Sequence, residues 1–90
     1  MQIEDVLLER GDRYGHFVGV ATISQNLKYT INVALQERDK KLPVEQIESL
    51  DMICNKLARI INGDNNYVDS WLDIAGYAQL VADNLNGIDR

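Results

Sequence analysis

The chain has 90 residues, 46% of them hydrophobic, with one Pro, six Gly and a formal net charge of −5. This composition describes one globular domain and excludes a disordered or fibrous chain, and at this size folding buries only about 60 to 65% of the surface exposed on unfolding. The negative balance repels a phosphate backbone at long range and argues against nucleic acid as a partner, while leaving room for a local basic pocket.

The apolar runs are short and broken by charge, and the opening "MQIEDVLLERGD" lacks the basic start and apolar stretch of a signal peptide, so a cytoplasmic protein with no membrane partner is expected. Cys54 is the only cysteine and His16 the only histidine, which rules out an internal disulfide and a zinc site of the usual kind. A metal, if used, would be held by carboxylates.

Apolar residues recur at spacings of three and four, and no stretch alternates as a half-buried strand would. The pattern predicts an all-α fold, a small bundle with a short N-terminal helix and three longer ones, in a single domain over 1–90. The first helix is expected from about Ile3 to Arg10, with Ile3, Val6, Leu7 and Leu8 as its stripe, and the two glycines of "RGDRYG" then break it. The second runs from about His16 to Glu37, with Val20, Ile23, Leu27, Ile31 and Ala34 in one arc. "ERDKK" reads as a solvated helix end, and Pro43 suits the start of a third helix.

That third helix is expected from about Val44 to Asn62. Ile47, Leu50, Cys54, Leu57, Ala58 and Ile61 share a face, and Gly63 is placed as a left-handed stop. "GDNNY" forms a loop, and Asn66 is positioned to cap the last helix, with Asp69 near its positive end. The last helix runs to about Leu85 with a broad apolar arc of Trp71, Ile74, Ala75, Ala78, Val81, Ala82 and Leu85.

A second stripe on this helix carries Asp69, Asp73, Gly76 and Leu80. Gly76 costs about 1 kcal/mol relative to Ala in a helix interior and marks a position approached by another helix, a subunit or a ligand. Lys56 and Arg59, one turn apart on the third helix, have two readings. They form an ion-pair network with Asp69 and Asp73, worth little when exposed, or they grip phosphate, with Arg59 supplying a planar fork.

"RGDRYGHF" brings Arg10, Arg13, Tyr14, His16 and Phe17 to a helix break. Arg beside Tyr or Phe holds phosphate by charge and a base by stacking, although the same residues are common in ordinary turns. Mg²⁺-dependent hydrolysis of a nucleoside triphosphate would draw on Glu45, Glu48, Asp51, Asp69 and Asp73. Acidic residues at a helix start are equally expected from the helix dipole.

Together, "ERGDRYGHF", "KLARIINGD" and "DSWLDIAGYAQL" resemble a family of short bacteriophage- and prophage-encoded proteins of unknown function, over about Leu8 to Leu80. The resemblance implies a phage or prophage origin and a compact helical fold. It also implies polar motif positions at Arg13, Tyr14, Lys56, Arg59, Asp69, Trp71, Asp73 and Tyr77. That family is similar in turn to the all-α nucleoside triphosphate pyrophosphohydrolases of the MazG type, which carry E-x-x-E followed by E-x-x-D. This chain departs from both patterns, with E-x-x-D at Glu48 to Asp51 and D-x-x-x-D at Asp69 to Asp73, so the four-carboxylate cage is not evident.

The expected function is that of a phage-encoded binding protein for a nucleotide or another phosphate-bearing ligand, acting in the host cytoplasm to sequester a signalling nucleotide. Arg13, Tyr14, Lys56, Arg59, Asp69, Asp73 and Tyr77 would contact the ligand, with no catalytic residue and no resident metal or cofactor. The alternatives are a Mg²⁺-dependent MazG-like pyrophosphohydrolase and a helical adaptor for a host or phage protein. The small core and the surplus of apolar faces favour a homo-oligomer.

Overall fold

The computed structural model describes residues 2–90, which form four helices: α1 (Ile3–Tyr14), α2 (Phe17–Glu37), α3 (Val44–Asn62) and α4 (Val68–Leu85). Among the described residues there is no strand, and the all-α class holds. The bounds of α3 agree with the periodicity, and α2 starts one residue late because His16 is its N-cap.

α1 departs from expectation by continuing four residues further, through Gly11. Gly11 has φ on the helical side and open space around it, and Leu7 to Arg10 are good helix formers that carry its cost of about 1 kcal/mol. The break comes at Gly15, whose φ of 78° is left-handed. The longer helix carries Arg13 and Tyr14 in its last turn.

Gly63 is also not the left-handed stop expected, since its φ is −136°. Its role is steric: a Cβ there would strike the Arg13 carbonyl and the Tyr14 backbone. The end of α1 crosses the end of α3 at this point, and Asp64 N–H donates to the Arg13 carbonyl at 2.7 Å. Asn62 Nδ2 donates to the Tyr14 carbonyl at 2.9 Å and to the His16 carbonyl at 3.0 Å, tying the α1–α2 turn to α3. Nor does Asn66 cap α4. Its N–H instead donates to Asp64 Oδ1 at 2.9 Å in a local turn, and Tyr67 takes the cap position.

Two helices close in the same way. After α2, Lys40 N–H donates to the Leu35 carbonyl and Asp39 N–H to that of Gln36, with Asp39 left-handed at φ 47°. After α4, Ile88 N–H donates to the Asp83 carbonyl and Gly87 N–H to that of Asn84, with Gly87 at φ 79°. The buried Asp83 carboxylate accepts from Gln79 Nε2 at 2.7 Å and Arg90 Nε at 2.9 Å, which fastens the tail and holds this carboxyl below its usual range.

α3 lies between α2 and α4, which do not touch each other, and α1 leans on α2 and α3. Cys54 and Ala58 are buried on the side where Lys28 of α2 acts on Cys54, and Ser49, Lys56 and Ile60 on the side of α4. By helical spacing, one remaining face of α3 carries Leu50, Ile53, Leu57 and Ile61, and the opposite one Glu48, Asp51, Asn55 and Arg59. Three helices side by side thus make a layer with one apolar and one polar face.

This arrangement corrects the expected core of α4 and, at Ile61, that of α3, whose Cys54 and Ala58 are buried as expected while Ile47, Leu50 and Leu57 are half-buried. Ile61, Trp71 and Leu85 are 72%, 52% and 68% exposed, and Ala75, Ala78 and Ala82 are exposed as well. The packing of α4 on α3 runs through Ser70, Ile74, Tyr77 and Val81 instead, and no large side chain is fully buried. The apolar arcs are where periodicity puts them, but within one chain no second layer covers them.

Gly76 meets nothing within 4 Å, so within the chain it does not mark a close approach. Gly76→Ala is therefore expected to raise unfolding free energy by about 1 kcal/mol, whereas Gly63→Ala should lower it by about 3 kcal/mol. Urea unfolding of both variants checks the pair. A loss of stability in Gly76→Ala would mean that this glycine is approached by something outside the single chain.

Candidate arginine and tyrosine site

The crossing of α1 over the end of α3 brings two arginines and two tyrosines together. The Arg59 guanidinium lies over the Tyr14 ring at 4.4 Å, and that of Arg13 over the Tyr67 ring at 4.3 Å. The two rings are 6.2 Å apart and tilted by 58°, so the order through space is Arg59, Tyr14, Tyr67, Arg13. Each exposed cation–π contact is worth about 0.5 to 1 kcal/mol, enough to hold a guanidinium in place without neutralising it.

Arg13 approaches Asp64 at 3.9 Å, a long and solvated ion pair. Arg59 forms no salt bridge among the described residues. Tyr67 donates its hydroxyl to Asp69 Oδ2 at 2.8 Å, which fixes the ring and raises the phenol pKa above its ordinary value, chiefly by stabilising the protonated form. A shallow cavity of about 230 Å³ opens beside Arg13, Tyr14 and Tyr67, with Arg10 and Glu9 on its wall.

The other expected ligand residues lie along the layer. Lys56 is buried and pairs with Asp73 at 3.3 Å, so these two charges answer each other. Tyr77 stands beside Asp73, Gly76 and Leu80 in an open groove of about 420 Å³, and the described residues provide no ring contact between it and Tyr14. The seven residues thus divide into Arg13, Tyr14 and Arg59 at one end, with Asp69 at its edge, and Lys56, Asp73 and Tyr77 along the α3–α4 contact.

Asp64 and Tyr67 belong to the cluster, although the sequence marks them only as loop. The available signal was topological: a short loop joining the helix that carries Arg59 to the one that carries Asp69 must lie beside both. Mg²⁺ fits the carboxylates poorly within one chain. Among the described residues no three His, Cys, Asp or Glu side chains gather to hold an ion, and Asp69 and Asp73 are engaged by Tyr67 and Lys56.

A raised Tyr67 pKa means that the hydrogen bond to Asp69 supports the fold fully below the ordinary tyrosine pKa of about 10 and is lost as pH rises through the higher folded value. An ultraviolet titration should find one tyrosine ionising later than free tyrosine. Asp69→Asn should bring it back, and Tyr67→Phe should remove it. A titration unchanged by Asp69→Asn would contradict the bond.

No family model, curated protein or solved structure matches the chain, so the chemistry of this cluster follows from its own geometry.

Proposed function

We propose that the chain binds a small molecule carrying phosphate or pyrophosphate, with a nucleotide as the best match, where α1 crosses the end of α3. The observation behind this reading is the Arg59, Tyr14, Tyr67, Arg13 stack. A guanidinium held over a ring by its charge keeps N–H groups free to donate to an anion, and its position is set before the ligand arrives. In a chain of net charge −5, Arg59 has no carboxylate partner among the described residues, which leaves its charge free to attract an anion.

Lys56 drops out of the phosphate-holding set because Asp73 neutralises it. Its part is to join α3 to α4. One face of Tyr14 is already covered by Arg59, so a nucleobase would stack on the outer guanidinium planes or lie along the Tyr77 groove. Such a binder would act in the cytoplasm of a phage-infected bacterium, where a protein without turnover would sequester a signalling nucleotide.

A thermal-shift panel of nucleoside mono-, di- and triphosphates and cyclic dinucleotides, with and without Mg²⁺, tests this. A ligand at 100 times its Kd should stabilise the fold by about 2.7 kcal/mol, several degrees for a chain of this size. Arg59→Ala should abolish the shift while lowering the unliganded stability by no more than about 1 kcal/mol. Asp73→Asn should do the reverse, since it strands a buried cation and leaves the stack intact. A flat panel would overturn the reading in favour of a protein adaptor, and release of pyrophosphate would replace it with the enzyme.

A further inference from the structure

The single chain exposes 6738 Å², against about 5,300 Å² for a compact protein of 10.2 kDa. Its radius of gyration is 15.0 Å, where a compact chain of this length has about 12 Å. The excess of about 1,400 Å² per chain is large for a polypeptide with no fully buried large side chain. It is accounted for by the layer: α2 and α4 flank α3 without meeting, and α4 has no helix but α3 against it.

One face of the α3–α4 pair is apolar and uncharged. Between α3 and α4 it holds an open groove of about 270 Å³ walled by Leu50, Ile53, Ala78 and Val81, and Ile61 and Leu85 stand exposed further along the two helices. By helical spacing the charged residues of α3 and α4 fall on the other sides, with Glu48 and Arg59 on the opposite face and Lys56 and Asp73 at the helix contact.

We infer that the apolar face is closed by a second copy of this chain, forming a twofold homodimer. Two copies each hiding the excess would bury about 2,800 Å², within the range of obligate homodimers, whose interfaces resemble a domain core cut in half. A net charge of −5 per chain sets copies against each other everywhere except on a face without charge, and an uncharged apolar face is complementary to itself. A partner of another kind would arrive only after the fold existed, yet without a cover the layer has no core to sustain it. The copy is the one partner present whenever the chain is made. The arginine and tyrosine stack lies at the α1 crossing with Arg59 on the polar face, so the dimer leaves it open to ligand.

Sedimentation equilibrium and light scattering on the full chain, together with melting at several concentrations, test the inference. The expected mass is twice the 10.2 kDa of one chain, and the melting temperature should rise with protein concentration. Ile61→Lys should reduce the mass to one chain or lower the melting temperature by about 10 °C. In an isolated chain the same change at a 72% exposed site near a helix C-terminus would be benign, so loss of folding in this variant also supports the dimer. Val44→Asp, at an even more exposed site on the other side of α3, should change neither mass nor melting. A single-chain mass with concentration-independent melting would overturn the inference, as would an oligomer whose mass and melting are indifferent to Ile61→Lys.

Discussion

α3 touches both α2 and α4, the two flanking helices never meet, and most of the molecule's properties descend from that arrangement. A helix in a closed bundle hides one broad stripe, whereas α3 hides two narrow ones and keeps a free face between them on either side of the layer. The two hidden stripes are built from small or short side chains, Ser49, Cys54 and Ala58, with Ile60 and the aliphatic stem of Lys56. Close approach of helices is favoured by small residues, but small residues bury little area each. The stability of one copy is therefore limited by how little large apolar surface it encloses.

The second constraint lies at the end of the layer. Gly63 and Gly15 permit the α1–α2 turn to press on the α3 terminus, and the Asn62 amide ties it there by donating to the Tyr14 and His16 carbonyls. Because this contact fixes the last turn of α1, it also fixes where Arg13 and Tyr14 stand relative to Arg59 and Tyr67. The candidate site is a consequence of backbone packing, and its side chains add only weak contacts to hold their own orientation.

The helices were legible because periodicity is a local property, and α3 in particular ends where its pattern ends. Loop chemistry was less so. Gly11 and Gly15 look alike in "RGDRYG", and only the crossing partner decides that Gly15 turns the chain and Gly11 does not. Gly63 was legible as a stopping point and illegible as a steric gap, since the atoms it avoids belong to residues fifty positions earlier. Of the site, the cationic and aromatic residue types could be singled out individually. Their division into a stack at one end and a Lys56–Asp73 pair along α4 depends on helix rotation and tertiary contact, which spacing alone does not give. The predicted apolar arcs were correct as arcs, and their exposure follows from the number of layers, which no single helix encodes.

The account turns on the fixed guanidinium pair at the α1 crossing being the place where an anion is held. The most direct measurement is a side-chain NMR titration of the arginine Nε–H resonances with pyrophosphate and with a nucleoside triphosphate. The account predicts saturable shifts confined to Arg13 and Arg59, with Tyr14 and Tyr67 ring signals moving in step, while Arg38 stays unmoved. Shifts spread evenly over all arginines and the Lys40–Lys41 end of α2, or none at Arg59, would contradict it.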